Sequence, residues 1–397
     1  MLGEHFLFVP GPSHVPESIQ RAMHRSMDDH RSPLFPELVL PLLEDIKKVF
    51  KTSTGDVLLY PASGTAGWEA AITNTLSPGD QVLIPIHGEF SARWANLAAK
   101  HKLSVYPIKS EWGESASAEK IYETLLKDSK NSIKAVFIVQ NETSTGVVSD
   151  IKAIRNAIDM AQHPALLFVD GISSIGGIDF RQDEWGVDIA VCGSQKCFML
   201  PPGLAMISIS EKVKSTFKYS KCSCAYFDFN EMLAANKNGY FPYTPPVSLL
   251  YGLRESLNLL FDEGLENVYA RHRHLANGVR SAIAAWGLEL CAKDPQSYSD
   301  TVSSVVLPEH INSNDVIKYA FDNYNLSLGA GLSSSNGKIF RIGHLGAVNE
   351  LMLAGALCGV EMALLDASIE IELGSGVRAA LEKFQVEKKI DTSVQIN

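Results

Sequence analysis

The chain has 397 residues, enough for two domains, because a single hydrophobic core rarely grows beyond about 250–300 residues. Hydrophobic residues make up 46% of the chain and charged residues 20%, which is typical of a packed globular protein. The formal net charge is −10 and the basic residues are scattered, so a nucleic-acid-binding surface is not expected.

The same composition indicates where the protein resides. No apolar run is long enough to cross a membrane, and the first residues lack the regions of a secretory signal, so we expect a cytoplasmic protein. The six cysteines have no framework spacing, which favours free thiols. Cys222 and Cys224 could bind a metal ion, but no second pair or nearby histidine completes four ligands, and we expect no metal site.

The first half of the chain predicts alternating strands and helices. A proline-rich segment predicts an extended arm that leads into a helix near residues 37–51. Continuous apolar strands joined by helices are typical of a mostly parallel sheet covered on both faces, which is an α/β fold. The predicted strands lie at 57–60, 81–86, 135–139, 165–169, 189–191 and 205–209, and helices at 67–75, 91–100 and 151–162.

The second half predicts a smaller α+β domain. One long helical pattern runs from Pro246 to about Trp286. It is followed by a strand at 301–307, a helix at 315–324, a strand at 338–342 and a helix at 350–365. We therefore expect an N-terminal arm at 1–20, a large domain at 21–263 and a small C-terminal domain at 264–397.

An aspartate and a lysine follow two strands of the predicted sheet. Asp170 ends one apolar run, and Lys196 comes directly after the next strand and its small-residue turn. Open α/β sheets bind ligands outside the carboxyl ends of their strands. A lysine there can hold pyridoxal phosphate as a Schiff base, and an aspartate can face its ring nitrogen. Taken alone, Asp170 could equally cap the next helix, and Lys196 could lie at the surface.

Two more loops follow strands of this sheet. Ser63, Gly64 and Thr65 lie between a strand and a helix, where small residues and hydroxyls suit a phosphate. This loop lacks the P-loop lysine and the dinucleotide glycine spacing, which argues against an ATPase and a Rossmann dehydrogenase. Thr143, in the loop 141–147, could bond a cofactor or a substrate, or cap the next helix.

Arg341 lies inside an otherwise apolar predicted strand. A buried guanidinium needs a partner, and a substrate carboxylate is the natural bidentate one. A structural salt bridge would satisfy it equally well. The strand pattern alone leaves both partners open.

Together these segments resemble the class V aminotransferases, within the fold type I pyridoxal-phosphate enzymes, and most of all the serine–glyoxylate and alanine–glyoxylate aminotransferases. The resemblance runs from Phe8 to about Gly376. It implies a large domain with a mostly parallel seven-stranded sheet and a smaller α+β C-terminal domain. The matching segments are 74–80, 141–147, 169–171, 193–196, 201–203, 263–267 and 340–346.

The resemblance also implies roles for single residues. Lys196 would form the Schiff base with pyridoxal 5'-phosphate and shuttle protons, while Asp170 pairs with the ring nitrogen. Arg341 would bind the substrate carboxylate, and Thr143 would contact the ring oxygen or the substrate. The other cofactor contacts would come from Ser63, Gly64, Thr65, Phe90, Gln195, Tyr243 and Thr244.

One position departs from the family pattern. Phe241 stands where an alanine–glyoxylate relative has a phosphate-binding tyrosine, so Tyr240 or Tyr243 would take that role, or the contact would be missing. The family is dimeric, and Thr244 would reach the phosphate in the partner subunit's site. We therefore expect a homodimer with sites completed across the interface.

The implied reaction moves the amino group of serine or alanine to glyoxylate by a ping-pong mechanism. Aspartate is the alternative donor, because the segment 29–33 carries two groups, His30 and Arg31, that could meet a second carboxylate. A cysteine-desulfurase-like lyase would need a reactive thiol near the site. Cys197 is too close to the lysine, however, and Cys358 is expected in a helix core. A non-catalytic scaffold would lack the lysine or the arginine, and both are present.

Overall fold

The computed structural model describes residues 3–394, with side chains up to residue 387. The first two residues of the predicted arm and the last three of the predicted small domain lie outside the described residues. The strands are β1 (Phe6–Phe8), β2 (Asp56–Tyr60), β3 (Gln81–Ile86), β4 (Ser104–Lys109), β5 (Ile133–Val139), β6 (Asn141–Glu142), β7 (Val147–Val148), β8 (Leu166–Asp170), β9 (Ile189–Gly193), β10 (Ala205–Ile209), β11 (Glu289–Leu290), β12 (Val302–Val306), β13 (Leu326–Ala330) and β14 (Ile339–Gly343). The helices are α1 (Glu17–Met23), α2 (Phe35–Phe50), α3 (Gly64–Thr75), α4 (Glu89–Lys100), α5 (Ala118–Lys127), α6 (Ile151–Met160), α7 (Glu211–Lys214), α8 (Phe229–Asn236), α9 (Val247–Glu263), α10 (Leu265–Ala285), α11 (Ser313–Tyr324), α12 (Glu350–Asp366) and α13 (Ser375–Val394).

Seven strands form the larger sheet, in the order β2-β10-β9-β8-β5-β3-β4. All neighbours are parallel except β10, which runs antiparallel to β2 and to β9. Strand β2 therefore points the same way as β9. The carboxyl ends of β2, β3, β5, β8 and β9 consequently lie at one edge of the sheet. This arrangement confirms the expected α/β fold with a mostly parallel sheet.

Strand β5 illustrates why the central strands are apolar throughout. Six of its seven residues are buried, and their side chains alternate between two cores on opposite faces of the sheet. A strand covered on both faces has no solvated side on which polar residues would alternate. On one face, four aromatic rings stack in a row with centroids 4.6–5.4 Å apart: Trp68, Trp94, Phe137 and Phe168.

One strand of the large sheet, β4, is absent from the predicted elements. It pairs with β3 at the edge of the sheet, and one of its six residues is buried. An edge strand of this kind carries no continuous apolar run, so the pattern that identifies its neighbours is missing.

The prediction of one long helix from Pro246 to Trp286 is wrong, because the helix is divided. Helix α9 ends at Glu263 and α10 begins at Leu265, with Gly264 between them at a φ of +83°. Glycine adopts a positive φ without steric cost, so it allows the chain to turn there. The expected boundary between large and small domains lies at this break, and the division into domains stays a prediction.

The smaller sheet has the order β1-β13-β14-β12-β11. Strands β11 to β14 pair antiparallel, whereas β1 pairs parallel with β13. The N-terminal arm is thus part of the second sheet, which packs with α10 to α13 around a third core. This pairing leads the arm past the carboxyl edge of the large sheet.

The described chain has neither a membrane-spanning helix nor a cluster of metal ligands. Between residues 3 and 394, no helix is both long and apolar enough to cross a membrane. The same residues contain no group of three or more His, Cys, Asp or Glu side chains that could hold a metal ion. The cytoplasmic location and the absence of a metal site stay predictions.

Candidate active site

The two residues that carry the predicted chemistry meet at the carboxyl edge of the large sheet. Asp170 is the last residue of β8, and Lys196 lies three residues beyond the end of β9. Because β8 and β9 are parallel neighbours, both residues leave the sheet at the same edge. The two side chains are close enough for each charge to change the pKa of the other group.

Short hydrogen bonds hold the turn that carries Lys196. Ser194 Oγ donates to the carbonyl of Pro201 at 2.7 Å and accepts from the N–H of Leu204 at 3.1 Å. Ser13 Oγ donates to the carbonyl of Lys196 at 2.7 Å. The backbone of the lysine is therefore anchored from the sheet side and from the N-terminal arm.

The N-terminal arm also covers the lysine side chain, which the sequence analysis missed. Lys196 Nζ donates to the carbonyl of Pro10. A Cβ at Gly11 would clash with Cδ, Cε and Nζ of the lysine, and Gly11 has a φ of +95°. A side chain at this position would therefore be strained and would displace the lysine. The glycine between two prolines was the available signal.

Burial changes the proton affinity of both groups. Desolvation raises the pKa of Asp170 to about 7; the hydrogen bond from the N–H of Ile172, at 2.7 Å, opposes this rise. Desolvation also lowers the pKa of Lys196 to about 8, and the Arg341 guanidinium acts in the same direction. Near neutral pH, a larger fraction of this amine is neutral and nucleophilic than in an ordinary lysine.

The raised pKa of Asp170 predicts a pH-dependent gain in stability for Asp170→Asn in the cofactor-free protein. The folded pKa lies above the ordinary value of 3.8, so the folded state binds more protons between about pH 4 and 7. Wild-type stability therefore falls as the pH rises through this range, whereas the neutral amide avoids that loss. The gain should grow from pH 5 to 7 and then level off, on the order of 4 kcal/mol.

Urea unfolding of the cofactor-free protein at pH 5, 6, 7 and 8 measures this difference. The control is Asp159→Asn, since the Asp159 side chain is 62% exposed. Its effect should stay constant across the same range, because this exposed side chain is not desolvated as Asp170 is. A gain for Asp170→Asn that does not change with pH would contradict the raised pKa.

The loop after β2 presents free hydrogen-bond donors beside the Asp170 loop. Ser63 precedes α3 without a side-chain capping bond, and both Ser63 and Thr65 are exposed. Among the described residues, no acceptor bonds the backbone N–H groups of Gly64 and Thr65. A Cβ at Gly64 would clash with Ile172, so the glycine allows this close approach. A helix N-terminus with free N–H groups favours an anion.

The loop after β5 is bonded to the loop after β8. Thr143 Oγ1 lies 2.8 Å from Ser173 Oγ, and both residues are buried. Asn141 Nδ2 donates to Ser173 Oγ at 2.9 Å and to Thr301 Oγ1 at 2.8 Å. The predicted Thr143 is thereby held close to the Asp170 loop, and its role in binding stays a prediction.

Arg341 reaches this edge from the second sheet. It lies in β14, is 7% exposed, and donates through Nε to the carbonyl of Ala330 at 2.9 Å. One Nη donates to the carbonyl of Thr143 at 3.0 Å. In residues 3–387, no carboxylate forms a salt bridge with it, and desolvation lowers its pKa to about 10. The structural salt bridge left open by the sequence is therefore not formed within the described chain.

Phe90 is the second residue of α4 and is partly buried. The Arg93 guanidinium carbon lies 5.5 Å from the centroid of its ring. The N–H of Phe90 donates to Glu142 Oε1 at 3.2 Å, and the Glu142 side chain is fully buried. From the sequence, Glu142 was expected only as a member of the segment 141–147, with no role of its own. An acidic residue among small polar ones, directly after a buried strand, was the signal.

Tyr243 and Thr244 are exposed, and no hydrogen bond or ring contact within residues 3–387 joins them to the lysine. Tyr243 Oη donates to Glu231 Oε2 at 3.0 Å. Tyr240 Oη donates to the carbonyl of Ser32 at 3.2 Å, so this hydroxyl already has a partner. Whether either tyrosine replaces the family tyrosine at Phe241 stays a prediction, as does the role of Thr244.

Residues 11–348 match the family model named aminotransferase class-V. The chain belongs to the class V aminotransferases. Serine–glyoxylate aminotransferase of Hyphomicrobium methylovorum is 50% identical to it over 380 residues, covering 95% of this chain and 94% of the relative. L-Aspartate–glyoxylate aminotransferase of Paracoccus denitrificans is 47% identical over 385 residues, or 97% of each chain. The crystal structure of ureidoglycine–glyoxylate aminotransferase from Bacillus subtilis has a TM-score of 0.89 at 29% identity, covering 97% of this chain and 99% of that one.

Class V aminotransferases use pyridoxal phosphate, and the residues of this aminotransferase fit that cofactor. Lys196 offers an amine with a lowered pKa, and Asp170 a buried carboxyl group. Gln195 Oε1 is buried without a hydrogen-bond partner. If the amide is rotated by 180°, its NH₂ group takes that position and can donate to a ligand. With the free donors of Gly64 and Thr65, these groups would hold the ring and the phosphate.

The structure corrects one expectation about the thiols of the aminotransferase. Cys358 is exposed on α12, so its placement in the helix core is wrong. Helix α12 is apolar on most of its surface, and the sequence pattern therefore does not distinguish its buried face. Cys197 is buried, and desolvation raises its pKa to about 12. Burial and a raised pKa make Cys197 a poor nucleophile.

Proposed function

We propose that this aminotransferase moves the amino group of serine to glyoxylate and produces hydroxypyruvate and glycine. Alanine, which would give pyruvate, is the second small donor. The names of the two relatives that are 50% and 47% identical support glyoxylate as the acceptor. Serine is supported as donor by the first of them and by a further serine–glyoxylate aminotransferase from Arabidopsis thaliana, 49% identical over 379 residues.

The observation that carries this proposal is the Arg341 guanidinium. It is buried and bonded to two neutral carbonyl groups, and no carboxylate of the described chain forms a salt bridge with it; the charge of Glu142 acts on it only at longer range. A buried cation is costly unless it is paired, and a carboxylate is its natural bidentate partner. Serine and glyoxylate both carry a carboxylate next to the reacting carbon, so one arginine can position both substrates.

The mechanism assigns the proton transfers to Lys196. Bound pyridoxal phosphate supplies an aldehyde that reacts with amines and a ring that delocalises the charge left at Cα. The Lys196 amine would take up the Cα proton of the donor and hold it for return, and its lowered pKa favours the neutral base that this role needs. Asp170 would hold the ring nitrogen of the bound cofactor. A cationic ring nitrogen would stabilise the ionised carboxylate and so lower the pKa of Asp170.

We also propose a homodimer that acts in the cytoplasm. Tyr243 and Thr244 are exposed and form no hydrogen bond or ring contact with the lysine of their own subunit within residues 3–387, which supports contact with the site of a partner subunit. Sedimentation of the purified enzyme tests the dimer. Loss of pyridoxal phosphate affinity in Thr244→Ala would support the shared site.

A donor panel tests the proposed reaction. Serine, alanine and aspartate are each supplied with glyoxylate, and kcat/KM is measured from the initial rates. We expect the highest value for serine and the next for alanine. Without glyoxylate, serine should change the absorbance of the bound cofactor in a single turnover. A higher value for aspartate would overturn the choice of donor, and sulfide release from cysteine would favour a lyase.

Aspartate is the second candidate donor, because the Paracoccus relative named for it is 47% identical. Arg31 is exposed, so its side chain is accessible to a ligand or a partner subunit, and its backbone N–H donates to Asp29 Oδ1 at 2.9 Å. If aspartate is the donor and Arg31 binds its second carboxylate, Arg31→Ala lowers kcat/KM for aspartate and leaves the value for alanine unchanged.

A further inference from the structure

We propose that Glu142 is a positioning residue of the cofactor site. Its buried carboxylate holds the first turn of α4 and thereby fixes the ring of Phe90 beside the cofactor. This inference rests on the proposed binding of pyridoxal phosphate next to Phe90. Glu142 itself is not proposed to touch the cofactor or the substrate.

The Glu142 carboxylate accepts four hydrogen bonds at the start of α4 and in its own loop. Oε1 accepts from the N–H of Phe90 at 3.2 Å, and Oε2 accepts from the N–H of Ser91 at 3.0 Å. Oε1 also accepts from the N–H of Ser144 at 3.2 Å and from its Oγ at 2.7 Å. The side chain is 0% exposed, so these bonds replace the water that the carboxylate loses on burial.

Ser144 completes the same cap. Its Oγ donates to Glu142 and accepts from the N–H of Glu89 at 2.9 Å. The first three N–H groups of α4 are therefore all bonded by side chains of the loop after β5. The charge of a carboxylate at a helix N-terminus is stabilised by the helix dipole, which makes Glu142 a strong cap.

Close packing against Gly88 restricts the position of the Glu142 side chain. A Cβ at Gly88 would clash with Cγ and Cδ of Glu142 and would lie 2.7 Å from Ser144 Oγ. Gly88 has an extended backbone, so its small size and not its φ explains the glycine. The contact between α4 and the loop after β5 therefore depends on Gly88, which leaves the space, and on Glu142, which makes the hydrogen bonds.

The loop that caps α4 also contacts the groups assigned to the chemistry. The carbonyl of Thr143 accepts from Arg341, and Asn141 bonds Ser173 in the loop after Asp170. A displacement of Glu142 would therefore move the Phe90 ring relative to Arg341 and to the loop after Asp170. Within residues 3–387 Glu142 forms no salt bridge; its carboxylate is bonded directly by the N–H groups that it positions, and the Arg341 guanidinium acts on its charge at longer range.

A double-mutant cycle tests this role through cofactor binding, with no amino donor present. The variants are Glu142→Gln, Phe90→Leu and their combination, and the measurements are the Kd of pyridoxal phosphate and the visible circular dichroism of the bound cofactor. Glutamine keeps the volume but presents an NH₂ group to one of the two helix N–H donors. We expect each single variant to raise Kd about 3- to 10-fold, the range of an aromatic contact.

The combination should bind no more than about twofold more weakly than Phe90→Leu alone, because a residue that acts through Phe90 adds little once the ring is gone. Additive effects would overturn the proposal, as would a wild-type Kd and dichroism in Glu142→Gln. A wild-type Kd in Phe90→Leu would overturn the role of the ring itself. These measurements use no amino donor, so they remain valid if the donor panel contradicts the proposed reaction. The two proposals are therefore tested separately.

Glu361 provides a matched control within the chain. It is also 0% exposed and caps a helix N-terminus, since its Oε1 accepts from the N–H of Gly376 at 2.7 Å at the start of α13. Glu361→Gln should lower the Tm and leave the Kd of the cofactor unchanged; equal weakening by both glutamines would overturn the proposal. If Glu142→Gln does not fold, Ser144→Ala takes its place in the cycle, with the same sign and a smaller change.

Discussion

Lys196→Ala is expected to lower kcat by about 10⁴-fold, the upper end of what one positioned acid–base group contributes. It should also remove the visible absorbance that depends on the covalent link between the lysine and the cofactor. The reason is that the buried amine, with its pKa lowered to about 8, is the base placed beside Asp170 at the sheet edge. Steady-state kinetics and the absorbance spectrum of the loaded protein measure both effects.

One further variant and a rescue experiment separate the chemistry of the amine from its charge. Lys196→Arg keeps a positive charge but has no neutral form near pH 7, so it should be as inactive as the alanine variant. Methylamine in the buffer should restore part of the rate in Lys196→Ala only. Lys152→Ala, at a lysine whose side chain is 62% exposed, should have no effect. Normal absorbance and rate in Lys196→Ala would disprove the assignment.

Arg341→Met is expected to lower kcat/KM for serine and for glyoxylate by about 10²- to 10³-fold, because a buried carboxylate loses its charged partner. The loss should appear mainly as a higher KM. Arg341→Lys keeps the charge but not the planar pair of donors, so a smaller loss of about 10-fold is expected. Initial rates over a range of concentrations of each substrate give both constants.

A donor without a carboxylate distinguishes binding from structural damage. Arg341 also bonds the carbonyls of Ala330 and Thr143, so its replacement could disturb the site. Ethanolamine is serine without the carboxylate, and its slow reaction should be nearly unaffected by Arg341→Met. An equal loss for serine and ethanolamine would contradict the proposed contact. Arg273→Met is the surface control, since the Arg273 side chain is 66% exposed.

Much of the fold could be predicted because burial leaves a local pattern. Strands covered on both faces are apolar at nearly every position, and six strands of the large sheet follow that rule. The edge strand β4 does not follow it, since it is mostly exposed. The break at Gly264 was missed because the apolar spacing continues from α9 into α10, while a single positive φ ends the first helix.

The strand pattern of the sequence was enough to place particular chemical groups at particular strand ends, and so to put Asp170 and Lys196 at one edge. The groups that surround them became known only from the three-dimensional structure. Lys196 bonds Pro10 across 186 positions of the chain, and Arg341 bonds Thr143 across 198. Strand ends follow from local periodicity, whereas such distant contacts depend on how the two sheets pack. The same holds for Glu142, because its hydrogen bonds to the first turn of α4 join residues that are 51 and 52 positions apart in the chain.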